Sequence, residues 1–180
     1  DLNMTPYYKL PTNWPKTHHH FVIFGPRGLV QNNLLQQITK QHPLPNKRFY
    51  IQDQADCQRI KDMLATQSLF CESECFIIDA ATDPLLKHLS LPNYPKSDRS
   101  IIILGPEKPT KIKWVSDFGL NIRTYALKEP YKTKAIEQLL HQQNISISKR
   151  ALNWISLSHQ GQEDLIPMTI ERISLTFGQG

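Results

Sequence analysis

No run of purely aliphatic or aromatic residues exceeds four; the longest are Phe21, Val22, Ile23, Phe24 and Ile101, Ile102, Ile103, Leu104. A bilayer-crossing helix needs roughly 20 apolar residues, so the chain reads as soluble, with no membrane partner. Cysteine is scarce: Cys57, Cys71 and Cys75 cannot all pair with one another. No second cluster supplies the spacing of a zinc site, and a reducing cytoplasm is the simplest compartment. Cys71 and Cys75 with His88 come nearest to a metal set, but four well-spaced ligands are missing and no metal is expected. Glycine is sparse as well, 7 residues against 13 scattered prolines, with no repeat or low-complexity tract. The first residues lack the basic start and apolar stretch of a signal peptide, and position 1 is Asp, which leaves open that the chain is a fragment.

What is present is an ordinary globular composition. Of 180 residues, 39% are hydrophobic and 21% charged, which suits one domain or a domain with a small appendage. Twenty-one Lys and Arg against 16 Asp and Glu give +5, a mild excess that falls short of a dedicated nucleic-acid binder.

Short β-branched or aromatic runs at residues 20–25, 48–53, 74–79, 100–105 and 120–127 predict five strands. Between them, apolar residues recur at helical spacing: Leu34, Leu35, Ile38; Ile60, Met63, Leu64; Trp114, Val115, Phe118. Phe76, Ile77, Ile78 and the run from Ile101 do not alternate with polar residues, so these strands should be covered on both faces, as in a parallel sheet between helices. The pattern changes near Lys128, Glu129, Pro130. Beyond it every segment is helical: Ile136, Leu139, Leu140; Leu152, Ile155; Ile166, Ile170, Ile173, Phe177. Ser148 is a good N-cap, Glu163 and Asp164 favour a helix start after Gly161, and Pro167 is tolerable only in a first turn. The expected organisation is an α/β domain over residues 1–128 and a small three-helix bundle over 129–180.

The first strand runs into Gly25, Pro26, Arg27, Gly28 and then a helix, the setting of a phosphate-binding loop. On Walker A spacing from Gly25, Val30 replaces the second glycine, Gln31 the phosphate-gripping lysine and Asn32 the magnesium-holding hydroxyl. Val30 places a β-branched side chain where backbone should wrap phosphate, and Gln31 brings no positive charge. Gly25 and Gly28 are equally explained as a plain strand-to-helix turn. Asp79 ends an apolar strand and could hold metal or cap a turn, but Ala80 stands where a catalytic Glu would follow. No nucleophile elbow or zinc-helix motif occurs, and Asp53, Asp56, Asp79 and Asp83 form no evident catalytic pair. No catalytic residue and no cofactor is expected.

Leu69 and Phe70 are adjacent apolar residues in a polar connection, Thr66 and Gln67 before Ser68, and Cys71, Glu72, Ser73 after. Such a pair either tucks back onto the core as a staple or stands out as an anchor for another protein.

These features, in this order, resemble the delta subunit of the bacterial DNA polymerase III clamp loader. The resemblance comprises the degenerate loop over residues 21–33, Ser68-Leu69-Phe70 some forty residues later, the strand ending at Asp79 and the run from Ile101 to Gly105. It continues through the helix carrying Trp114 and the closing stretch from Gly161 to Leu175. Gln162 stands where that family often has Asn. The resemblance implies an AAA+-like domain without ATPase function, followed by a helical lid. It assigns to Ser68, Leu69 and Phe70 the contact with a hydrophobic pocket of the ring-shaped sliding clamp, the beta subunit. The loss of lysine at Gln31 fits a family in which neighbouring subunits bind the ATP. Implied partners are the clamp, the gamma/tau and delta prime subunits, and DNA within the assembled complex; the implied place is the bacterial cytoplasm, at the nucleoid-associated replisome. The family's C-terminal collar has no counterpart before Gly180, which leaves a fragment or a chain without that function.

The expected function is therefore a noncatalytic clamp-opening subunit of the DNA polymerase III holoenzyme, a nucleotidyltransferase complex. The alternatives are an ATPase with an atypical loop, using Gly25, Arg27, Gly28 and Asp79, or a DNA-binding module using Lys108, Lys111, Lys113, Lys132, Lys134, Lys149 and Arg150.

Overall fold

The computed structural model describes residues 4–42, 45–65, 74–91 and 99–177. They form two compact units, one made of residues 1–26 and 34–124, the other of residues 27–33 and 125–180.

The first unit is built on a parallel sheet. Its strands are β1 (Met4–Pro6), β2 (His20–Phe24), β3 (Asn46–Tyr50), β4 (Cys75–Asp79), β5 (Ser100–Leu104) and β6 (Leu120–Arg123), in the order β1-β6-β2-β5-β4-β3. Every neighbouring pair is parallel, with Val22 opposite Ile103 on one side and Asn121 on the other. The unbroken apolar runs of β2, β4 and β5 exist because each strand is buried on both faces. Val22, Phe24, Phe76, Ile78, Ile101 and Ile103 face a layer made by α3 (Gln54–Ala65), α4 (Asp83–Leu89) and α5 (Lys113–Phe118). Their alternates Phe21, Ile23, Ile77, Ile102 and Leu104 face α1 (Trp14–Thr17) and the part of α2 (Leu29–Gln41) that carries Leu34, Leu35 and Ile38. Each such side chain withdrawn from water is worth about 1.5–3 kcal/mol, which makes this double core the main source of cohesion.

Three expectations need correcting. β1 was not anticipated, because three residues ending in proline carry no periodic signal, yet they pair with β6 at the sheet edge. β3 occupies Asn46–Tyr50 rather than residues 48–53, and β6 stops at Arg123 rather than 127. Met63 and Phe177, expected on inward helix faces, are exposed, Phe177 by 80%.

The second unit packs three helices, α6 (Tyr131–Gln142), α7 (Lys149–Ser158) and α8 (Ile166–Phe177), around Ile136, Leu140, Leu152, Ile155, Ile166 and Ile170, joined by Leu29 from the start of α2. Ser148 caps α7, its Oγ accepting the Ala151 N–H at 3.2 Å. Pro167 falls in the first turn of α8, where its missing N–H costs nothing. Gly161 takes φ +77 at the break between α7 and α8.

Candidate functional site

At the carboxyl ends of the central strands, where open α/β sheets place their ligands, backbone pairing extends past the strands themselves. Gly25 N–H donates to the Pro106 carbonyl at 3.2 Å, Gly105 N–H to Ile23 at 2.9 Å and Ala80 N–H to Leu104 at 2.9 Å. The Phe24 carbonyl accepts twice from Thr124, from its N–H at 2.8 Å and its hydroxyl at 3.1 Å. Gly25 sits at φ +136, and a Cβ there would collide with the Thr124 hydroxyl and come within 2.6 Å of its carbonyl oxygen. The first glycine of the loop is thus demanded by the turn itself.

Downstream, the Gly28 carbonyl accepts the Asn32 N–H at 3.1 Å and opens the ladder of α2. Val30 and Gln31 are buried and Asn32 is half-buried. Gln31, at the position of a phosphate-gripping lysine, is only 2% exposed, and its Nε2 has no hydrogen-bond partner among the described residues.

The acidic candidates have structural tasks. Asp79 ends β4 and pairs with Arg48 of β3 at 3.7 Å, while its carbonyl accepts the Ile51 N–H. Asp53 Oδ1 accepts the Asp56 N–H at 2.9 Å, and Asp56 Oδ2 accepts the Gln52 N–H at 2.9 Å, a reciprocal cap at the start of α3. The Gln52 N–H holds the Asp56 carboxyl below its ordinary range, partly opposed by desolvation and aided by Arg59 at 2.7 Å. Asp83 opens α4.

The loose metal set does not assemble. Cys75 is fully buried in the core that faces α1 and α2, whereas His88 is exposed on α4, which covers the opposite face; Cys71 lies outside the described residues. No group of three His, Cys, Asp or Glu side chains converges among the described residues. Of the seven basic candidates, Lys108, Lys111 and Lys113 belong to the first unit and the rest to the second, where Lys132 is paired with Glu163 at 3.3 Å.

Ser68, Leu69 and Phe70 also lie outside the described residues. Their flanks are defined: Ala65 ends α3, and Glu74 precedes β4 and pairs with Lys47 at 3.0 Å. Both flanks stand at the amino-terminal edge of the sheet, the end opposite Gly25. Sequence reasoning did not find the residue that fixes this edge, Arg99, because a lone arginine before a strand carries no pattern.

Among described residues no helix is long and apolar enough to cross a membrane. No protein-family model and no curated protein matches the sequence. Among solved structures, the chain is similar to the A156S mutant of Thermotoga maritima RuvB, with TM-score 0.50 and 14% identity over 88% of this chain and 56% of that one. It also aligns with domain III of the Thermotoga maritima replication initiation protein DnaA, with TM-score 0.49 and 13% identity over 92% and 80% of the two chains. The likeness to the RuvB structure is one of fold, an α/β sheet flanked by helices with a helical C-terminal part, and the chain spans little more than half of that RuvB chain.

Proposed function

We propose that this chain is a noncatalytic, partner-binding subunit of a replication clamp loader, in which Leu69 and Phe70, positioned by Ser68, anchor to the sliding clamp. The observation that carries the reading is the loss of phosphate-loop chemistry within an AAA+-like fold: Gln31 is buried, and the Gly25 amide is committed to Pro106. Neither group is available to grip a nucleotide, so the unit's contribution lies in binding. The connection that carries Leu69 and Phe70 starts and ends at the other edge of the sheet, so a partner there need not approach the former nucleotide end.

An aromatic anchor seated in a pocket is worth roughly 2–4 kcal/mol. If it fits the distorted clamp interface better than the closed one, that difference alone shifts the ring population, and a coupling of roughly 1–3 kcal/mol suffices without hydrolysis at this subunit. The gamma/tau and delta prime subunits would supply ATP chemistry and the remaining contacts with DNA.

Calorimetric titration of the chain against the sliding clamp of its own source tests the reading. Wild type should bind, and the Leu69→Ala, Phe70→Ala double variant should not, while its melting temperature stays unchanged. Absence of binding by the folded wild type overturns the proposal; a drop of several degrees in the variant's melting temperature would assign the pair to the core instead.

A further inference from the structure

Residues 2–52 contain no carboxylate side chain, yet they carry Lys9, Lys16, Arg27, Lys40, Lys47 and Arg48. The fold gathers much of this stretch into one layer. α1 and the carboxyl-terminal part of α2 cover one face of the sheet, and Tyr7 and Leu10, either side of Lys9, pack on the same face. The opposite layer is mixed: Asp56 and Asp62 on α3, Asp83 on α4 and Asp117 on α5 are matched in number by Arg59, Lys61, Lys87 and Lys113 on the same helices. The α1 and α2 helices are thus basic and free of carboxylates, whereas the helices on the other face balance their charges. Lys47 and Arg48 are neutralised by Glu74 and Asp79, whereas Lys9, Lys16 and Lys40 are exposed and have no carboxylate partner among the described residues.

Within this layer, α1 and α2 border a cleft of about 170 Å³. Lys16, Lys40, Thr12, Asn13, Gln37 and Gln41 line it together with Pro15. Each of the six polar side chains can donate a hydrogen bond and none is a carboxylate. The Pro15 carbonyl is already engaged by His42 Nε2 at 3.0 Å. Between Asn13 and Pro15, Trp14 is buried edge-on to Phe21 at 5.5 Å, which ties α1 to the sheet. Lys40 lies in the last turn of α2, where the helix dipole is negative, so an anion would be drawn by the two lysines acting together and not by the helix.

We propose that this cleft seats the phosphodiester backbone of a nucleic acid, with Lys16 and Lys40 as the phosphate ligands and Lys9 extending the track. The inference does not depend on the clamp contact, which involves the other residues of the chain named above. The same donor set would accept a free polyphosphate; the exposed Lys9 outside the cleft favours a polymer with successive phosphates.

The test uses the full chain and two probes, a fluorescein-labelled DNA duplex followed by anisotropy at several salt concentrations, and inorganic tripolyphosphate followed by calorimetry. Wild type should bind the duplex with a salt-dependent affinity. Lys16→Gln with Lys40→Gln should weaken binding about tenfold or more and reduce the slope of log K against log salt by about two, near 0.9 per lost phosphate contact. The Lys108→Gln, Lys111→Gln control should bind as wild type does. Lys16→Glu alone should weaken duplex binding further than Lys16→Gln, a second variant confined to an exposed side chain. The proposal fails if the duplex does not bind, if the Lys16, Lys40 variant keeps the wild-type slope, or if tripolyphosphate binds through these lysines while the duplex does not.

Discussion

The Arg99 guanidinium donates from Nη1 to the Leu64 carbonyl at 3.3 Å, and its carbon lies 5.5 Å from the centre of the Phe76 ring. One side chain thus caps the last turn of α3, covers the start of β4 and, through its own backbone, leads into β5. These are the elements that bracket the connection carrying Leu69 and Phe70. Replacing Arg99 by Ala should lower unfolding stability by about 1–3 kcal/mol, the worth of a charge-assisted hydrogen bond with its ring contact, read from urea denaturation. Under the clamp-anchor reading it should also weaken clamp affinity, though by less than removal of Leu69 and Phe70.

Gln31 offers a paired test. Gln31→Met keeps length and removes a buried amide whose nitrogen lacks a partner, so it should leave stability equal or raise it by about 1 kcal/mol. Gln31→Lys restores the Walker residue but forces an ammonium into a site 2% exposed, and should cost several kcal/mol without creating ATP binding. Thermal melts and a fluorescent-nucleotide titration read both outcomes.

Gly25→Ala should destabilise by at least about 3 kcal/mol, because a side chain at φ +136 is strained and also strikes Thr124. Thr124→Ala should not rescue it. The carbonyl oxygen of residue 124 remains 2.6 Å from the new Cβ, so the double variant should melt no higher than Gly25→Ala alone.

Burial pushes the Cys75 thiol up to about 11 and raises that of Cys57 in the same direction. In the native chain both should resist a thiol-specific disulfide reagent at pH 8 and react fully only after denaturation. The raised value also sets a pH dependence. The unfolded thiol ionises near its ordinary value of 9.0 and the folded one only near 11, so the contribution of Cys75 is complete below about pH 9 and is lost as pH rises through 11. The loss amounts to at most about 3 kcal/mol. Cys75→Ala should flatten that part of the stability profile relative to wild type.

The legible parts of the fold were those where burial is two-sided. Phe21 to Phe24, Phe76 to Ile78 and Ile101 to Leu104 show unbroken apolar runs because a helical layer covers each face. β3 was misplaced because it is an edge strand: Asn46, Lys47 and Arg48 are exposed, so no alternation marks its start. α4 was missed because only Leu86 and Leu89 of its seven residues are buried, too few for a period. At the site, the turn glycine Gly25 was readable from position alone, and its physical cause, Thr124, is distant by 99 residues and invisible to local pattern. Gln31 was readable as a missing lysine but not as a buried group, since burial is decided by what packs around it. The Cys75 and His88 pair failed because sequence proximity says nothing about which face of a sheet a residue occupies.

Leu29 belongs by sequence to the strand-to-helix turn and by packing to the helical unit, where it meets Ile136 and Leu152. That unit is consequently not a contiguous stretch of polypeptide: the chain passes between the two units three times, after residues 26, 33 and 124. A protease nick or a gene truncation at the last of these would yield a C-terminal piece with a hole where Leu29 should be, and an N-terminal piece bearing an apolar stub in water. Neither piece would be a faithful copy of its part of the native molecule, so the two units are expected to be inherited, expressed and lost together.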